Sequence, residues 1–379
     1  MKNIQLKYLL VVFFASFLII SCSEDLPVAT EPTIEQQLQK ALDDAIRTYP
    51  GKGISAALIF PEGTTWQGVA GISHDDIPVT NNMLFSAGSI TKTFTAMIIL
   101  QFAAEGILSL DDPLHKWFPP YDNIDSTITI RQILNHTGGI FDAADHPQIG
   151  QDVFADRSRN WTADDLLNNY VLYPYFEKET GWHYSSTGYV MLRKLIPEIS
   201  GTDIATVYRN RLLTPQSLND TYLYPYENLP GDVAHGWFDV NGDQQYDDIT
   251  TDPLISFYTM AGGGIYATAM DLAKWAHVIF IDKEVITDNY YNQMIDFYFP
   301  TTGDPMVNGY GLGVFRFEPT LIDGLEMWGH GGDAIGYAAG SFYLPNYNLC
   351  LGIADNTEEG ETMWVIKDLL TIAIDNLEE

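Results

Sequence analysis

Apolar residues recur three and four positions apart near the start of the chain, at Ile34, Leu38, Leu42 and Ile46. That spacing predicts an amphipathic helix, and Thr33 with Gln36 gives it a capping-box opening. Two short apolar runs follow, near Ile54–Phe60 and Thr65–Ala70, parted by Pro61-Glu62-Gly63; they read as strands. Thr91 to Glu105 is apolar almost all round, which predicts a buried central helix with Gly106 as its terminator. From about 107 to 250 the pattern is helix and loop, with helices expected over Ile128–Leu134, Thr162–Val171, Thr187–Ile199 and Ile204–Leu213. Strands return after 251: Gly311–Phe317, Glu326–Gly329, Ala339–Leu344 and Leu349–Ala354, the last two joined by a turn at Pro345-Asn346-Tyr347-Asn348. A final amphipathic helix is expected over Thr362–Leu377. Helix and strands first, helices in the middle, strands and helix last: this order predicts a discontinuous α+β fold. Both ends would build one antiparallel sheet subdomain (about 33–88 plus 251–379), and residues 89–250 a mainly helical one.

The first 21 residues carry a different pattern. Lys2 and Lys7 precede a dense apolar run, Leu9 to Ile20, too short for a comfortable membrane span; this predicts a secretion signal. It ends in Ile19-Ile20-Ser21-Cys22, which resembles a bacterial lipobox, so Cys22 is expected to become the lipidated first residue and to hold the protein to a membrane. Polar residues 22–32, with two prolines, read as a linker. The acidic start Ser23-Glu24-Asp25 resembles the export tags of some surface lipoproteins, giving a periplasmic or cell-surface expectation. The formal net charge of −31 argues against a nucleic-acid partner and against binding anionic surfaces by charge alone. With Cys22 lipidated only Cys350 remains, in an apolar stretch, so no intramolecular disulfide is expected and Cys350 reads as core. Asp239 to Asp248 alternates oxygen donors as a calcium loop does, but its glycine is misplaced and the closing glutamate is missing. A solvated β-turn is the expected reading, with no metal.

Chemistry enters with Ser89-Ile90-Thr91-Lys92, a hydroxyl and an amine one helical turn apart. A serine hydroxyl needs a base to become a nucleophile, and a lysine with a lowered pKa can help supply one. The start of the helix also offers free N–H groups to a developing oxyanion. Two further patches accompany it: Tyr184-Ser185-Ser186 and His330-Gly331-Gly332, the latter at the end of a predicted strand. In this order the three resemble the signature elements of the penicillin-recognising serine hydrolases, Ser-x-x-Lys, Tyr-x-Asn and Lys/His-x-Gly. That family includes class C β-lactamases, D,D-peptidases, D-aminopeptidases and related esterases. The segments Ile107–Pro113, Ile128–Gly139, Ala261–Thr268 and Tyr310–Gly313 resemble it too, so the likeness runs over roughly residues 35 to 375.

The resemblance implies a β-lactamase/D,D-peptidase-like fold and an acyl-enzyme on Ser89. Lys92 would help take the serine proton, and Tyr184 would act across the cleft, first as partner base and then as acid to the leaving group. A phenol needs cationic neighbours to be a base. His330 stands where many members have lysine; it would orient the phenolate or a substrate carboxylate, with a charge that varies with pH. Gly331 and Gly332 would leave the strand edge bare for substrate, and the N–H groups of Ser89 and Asp333 would form the oxyanion hole. His136 is expected to be structural. Two departures bear on the substrate. Ser186 replaces the usual asparagine, with fewer hydrogen bonds to offer an acyl side chain, and Thr180-Gly181 replaces Pro-Gly. No Gly-x-Ser-x-Gly occurs, so an α/β-hydrolase elbow is not supported. The expected activity is a serine hydrolase of small amides, D-amino-acid peptides or esters, without cofactor. The rivals are a class C-like β-lactamase and a non-catalytic lipoprotein that binds cell-wall fragments.

Overall fold

The computed structural model describes residues 31–48, 51–230, 232–250, 257, 260, 263–298, 307–322, 324–357 and 362–378. The leader, Cys22 and most of the linker lie outside these. The chain divides into two units, Met1–Thr33 and Ile34–Glu379, and every helix and strand among the described residues belongs to the second. Its strands, in chain order, are β1 (Gly53–Ile59), β2 (Thr65–His74), β3 (Ile77–Pro78), β4 (Phe85–Ser86), β5 (Thr221–Leu223), β6 (Trp237–Phe238), β7 (Asp247–Asp248), β8 (Ile265–Ala267), β9 (Val307–Tyr310), β10 (Phe315–Phe317), β11 (Trp328–Ala334), β12 (Tyr337–Leu344) and β13 (Leu349–Asp355). Eight of them form one antiparallel sheet in the order β3-β2-β1-β13-β12-β11-β10-β9, so residues from both ends of the sequence share it.

The central strands β1, β12 and β13 are buried at every position. They read as continuous apolar runs because helices cover both faces of the sheet. On one face Ile54, Ala56 and Leu58 of β1 join Leu351 and Ile353 of β13 beneath helix α1 (Ile34–Thr48) and the Thr362–Glu378 helix, through Leu38, Leu42, Leu369 and Leu370. On the other, Ala57 and Ile59 join Cys350 and Ala354 beneath the Ala269–His277 helix. Cys350 is buried there.

Helix α2 (Thr91–Ala104) runs into this second core and is buried through its first ten residues. Its hydroxyls stay satisfied: Thr93 donates to Ile90 O and accepts from Trp275 Nε1, and Thr91 Oγ1 accepts from Ile265 N. Gly106 follows with φ +72°, a conformation that suits glycine at a helix end. The segment after α2 carries α3 (Ile130–Leu134), α4 (Ile149–Ala155), α5 (Ala163–Asn169), α6 (Ser186–Ser200) and α7 (Ile204–Tyr208). Among the described residues no helix is long and apolar enough to cross a membrane.

Two of the expected elements differ from the sequence pattern, and the helices Ile149–Ala155, Ala269–His277 and Asp288–Met294 and the short strands β5 to β8 are not read from it. The single strand expected over Gly311–Phe317 is a hairpin between β9 and β10; the chain reverses where Gly311 N donates to Val314 O and Gly313 takes φ +90°. Strand β11, expected to stop at Gly329, runs on to Ala334, so His330-Gly331-Gly332 lies inside a strand. Glycines have poor strand propensity, and pairing with β12 along residues 328–334 overrides it. The Asp239–Asp248 loop closes the β6–β7 hairpin. The Asp239 carboxylate accepts from the N–H groups of Gly242, Asp243 and Gln244 at 2.7, 3.1 and 2.7 Å, so its oxygens hold the turn.

Candidate active site

Ser89 sits in a one-turn 3-10 helix, Gly88–Ile90, that leads straight into α2. Strand β11 lies against this turn, and two glycines permit it. A Cβ on Gly332 would stand 2.0 Å from Ala87 O and 3.0 Å from Ser89 N; one on Gly88 would stand 2.6 Å from Asp333 O. No other residue fits either position without moving backbone. The close approach brings the main chain of Gly88 and Ser89 beside that of Gly332 and Asp333; the resemblance assigns the N–H groups of Ser89 and Asp333 to an oxyanion hole. Beyond Gly329, β11 pairs with β12 alone, so its other edge is unpaired by β10.

Lys92 lies one turn along, 1% exposed, and its Nζ donates to Ser89 Oγ at 2.9 Å. Burial disfavours the ammonium and lowers its pKa to about 7; Asp142 and Asp333 pull it up and Arg193 pushes it down. The Nζ stands 4.9 Å from the centre of the Tyr184 ring. The Tyr184 hydroxyl is buried and makes no hydrogen bond of ordinary geometry with the protein. Burial raises its pKa well above that of a free phenol; the nearby Ser89 hydroxyl pulls the other way but does not prevail, and the Tyr189, Asp142 and Asp333 groups add to the rise. The environments of the two groups therefore push them in opposite directions, towards a neutral amine and a retained phenolic proton. A phenol needs cationic neighbours to act as a base, but the groups that act on this one are Ser89, Tyr189, Asp142 and Asp333, and desolvation leads, so Tyr184 keeps its proton in the resting site.

His330 is 1% exposed and takes part in the same cluster. Its Nδ1 donates to Gly331 O, since a carbonyl only accepts, and Nε2 then accepts from Tyr310 Oη at 3.3 Å. Burial, with the Lys92 charge behind it, lowers its pKa to about 3. The imidazole is thus neutral across the physiological range, which corrects the expectation of a pH-dependent charge. Asp333 is exposed, at the far end of the unpaired edge. Ser186 is half-buried at the first position of α6.

The sequence reading missed Asp142, and took Tyr310 only as part of a family-like segment, with no role at the site. Asp142 is buried three residues past the segment singled out, and its Oδ2 accepts from Ser186 N at 2.7 Å while Oδ1 accepts from Ala144 N at 3.0 Å. The same loop's Ala143 N donates to Thr187 Oγ1 at 2.8 Å. Asp142 therefore caps α6 from outside, where the N-cap residue Ser185 gives no side-chain bond. His136 holds the other side. Its Nδ1 accepts from Ser185 N at 3.1 Å and its carbonyl from His183 N at 3.2 Å, with φ +61° in the left-handed region. Tyr184 is gripped between these bonds, so His136 acts structurally, on the piece of backbone that bears the phenol. No motif marks Asp142; only a carboxylate three residues beyond Gly139 hints at it. Asp142→Ala is expected to lower stability by about 1–2 kcal/mol, with Asp142→Asn, which keeps one acceptor, in between; thermal melting checks this.

The beta-lactamase family model matches residues 42–373. The chain belongs to the beta-lactamase family. This is the serine β-lactamase/D,D-peptidase superfamily of hydrolases. The chain is 34% identical over 169 residues to penicillin-binding protein 4* of Bacillus subtilis (strain 168), covering 42% of this chain but 34% of that protein. It is 26% identical over 155 residues to esterase EstB of Burkholderia gladioli, covering 38% of this chain and 39% of the other. Among solved structures, a D-stereospecific amidohydrolase from Streptomyces sp. superposes with a TM-score of 0.77 at 26% identity, over 89% of this chain and 98% of that one. The D-amino acid amidase of Ochrobactrum anthropi SV3 shares the fold with a TM-score of 0.79 at 22% identity, over 91% and 99%. Within the family, the three stretches that carry its signature here are the ones the fold collects around Ser89.

Proposed function

We propose that this protein is a serine hydrolase that forms an acyl-enzyme on Ser89 with small amides, D-amino-acid peptides or esters. The observation that carries this reading is the hydrogen bond from a buried amine of lowered pKa, Lys92, to a half-buried serine hydroxyl, with a phenol across from both. Neutral Lys92 takes the proton of Ser89 as Oγ attacks the substrate carbonyl. The oxyanion that forms accepts from the N–H groups of Ser89 and Asp333. Tyr184 gives its proton to the departing nitrogen or oxygen as the carbonyl bond to it breaks, and the Lys92 ammonium returns a proton to the phenolate. The proton lost by serine thus ends on the leaving group. Water then repeats the sequence against the acyl-enzyme, releasing the acid and restoring Ser89.

The amide and ester substrate classes are supported by the names of the relatives, an amidohydrolase and an esterase, and by Ser186, which offers less to an amide side chain than asparagine would. The leader pattern ending at Cys22 supports a lipid-anchored location outside the cytoplasm as part of the same reading. The test is labelling with a fluorescent fluorophosphonate, followed by peptide mapping, beside turnover of a panel of p-nitrophenyl esters and D-alanyl amides. Label at Ser89 with turnover of at least one class is expected. A folded protein that takes no label and turns over nothing refutes the proposal, and rapid turnover of nitrocefin alone would favour a β-lactamase.

A further inference from the structure

A substrate laid along the unpaired edge of β11, beside Ser89, meets residues 330–334. A carboxylate placed there needs a cation, because taking it from water is otherwise costly and backbone N–H groups alone do not neutralise it. The edge has N–H groups unpaired by β10, but the cation that bears on Asp333, at this edge, is Lys92. His330, the side chain best placed by sequence to meet such a group, is buried, and both its ring nitrogens are taken, one by Gly331 O and one by Tyr310 Oη. Every lysine and arginine after residue 30 lies among the described residues, so no cation of the folded unit is out of view. Lys92 is beneath Ser89 and committed to it. Arg193 is buried and donates to Gly263 O at 2.8 Å. Arg316, on neighbouring β10, is ion-paired with Glu326 at 2.8 Å. Against these stand two carboxylates whose charge reaches Lys92: Asp142 below and Asp333, exposed, on β11 itself.

We infer that this site selects substrates that carry no carboxylate next to the scissile bond, taking neutral or cationic esters and amides and rejecting their acid counterparts. The inference rests on the acyl-enzyme reading above and adds to it the charge class of the substrate. It separates this chain from enzymes that grip a carboxylate at the same strand.

A matched pair tests it: benzylpenicillin and its methyl ester, which share the reactive carbonyl and differ only in the carboxylate. Acylation of Ser89 is followed by intact-protein mass spectrometry, with a neutral fluorophosphonate as the control for a competent nucleophile. The ester is expected to acylate about tenfold faster than the acid or more, since a charged group left without its hydrogen-bond partner costs at least that. His330→Lys, if it folds, is expected to move the ratio towards the acid about tenfold; the wild-type ratio stands as a test without it. Equal or faster reaction of the acid overturns the inference, as does failure of both forms while the fluorophosphonate still labels Ser89. Absence of any label, fluorophosphonate included, refutes instead the acyl-enzyme reading.

Discussion

Ser89→Ala is expected to lower ester and amide turnover by about four orders of magnitude or more and to abolish covalent labelling, with the fold intact. Around the hydroxyl, every other feature survives the change: the Gly88–Ile90 turn, the close approach of Gly332, the buried Lys92 and the buried hydroxyl of Tyr184. What is lost is the one atom that can bond to the acyl group. Residual activity would come only from groups that bind and polarise a carbonyl. Melting should shift by no more than a few degrees, because the substitution removes one partly exposed hydroxyl. A variant that melts like the wild type and still turns over substrate at a tenth of its rate would place the nucleophile elsewhere.

Lys92→Met, which keeps most of the buried volume, is expected to slow acylation about 10³-fold, within the range for a lost general base. The pH profile gives an independent readout. The wild-type amine has a pKa of about 7, so the neutral base is in the minority below that pH and dominant above it. Acylation should therefore rise through pH 7 and level off, and this limb should vanish in the variant. Stability moves in the same direction for a linked reason. Folding lowers the pKa from an unfolded value of about 10.4, so between the two the unfolded chain binds more protons and stability rises with pH. The penalty is fully present below pH 7 and disappears as pH passes the unfolded pKa. Lys92→Met should thus melt higher than the wild type at pH 6 and approach it at high pH. Activity that falls as pH is raised through 7 would sink the role of Lys92 as base.

Much of this was readable in the residues because local chemistry dictates it. The three-and-four spacing of Leu38 and Leu42 gives α1 its buried stripe, and the all-apolar run after Thr91 gives a helix with core on every side. Ser89 and Lys92 share a face because helical geometry puts them there. Where the sequence pattern erred, partners from elsewhere in the chain decided the outcome. The stretch 330–332 looks too rich in glycine for a strand, yet β12 pairs with all of it. The Gly311–Gly313 turn is legible only once α2 is in place, for a Cβ on Gly313 would stand 2.5 Å from that of Ala96.

Read along the chain, the residues already offer the groups that the proposed reaction uses: a hydroxyl and an amine one turn apart, a phenol, and a glycine-rich strand, in an order that resembles the family's signature. Their protonation is set by packing, which no stretch of residues shows alone. Burial is a property of the packed molecule, and desolvation leads in all three: against the pull of Asp142 and Asp333 it pushes Lys92 down to about 7, and together with nearby charge it keeps the proton on Tyr184 and leaves His330 neutral. The Asp142 carboxylate that caps α6 and tempers Lys92 was hidden for the same reason, since Ser186 and Lys92 lie far from it along the chain, on either side, and meet it only on folding.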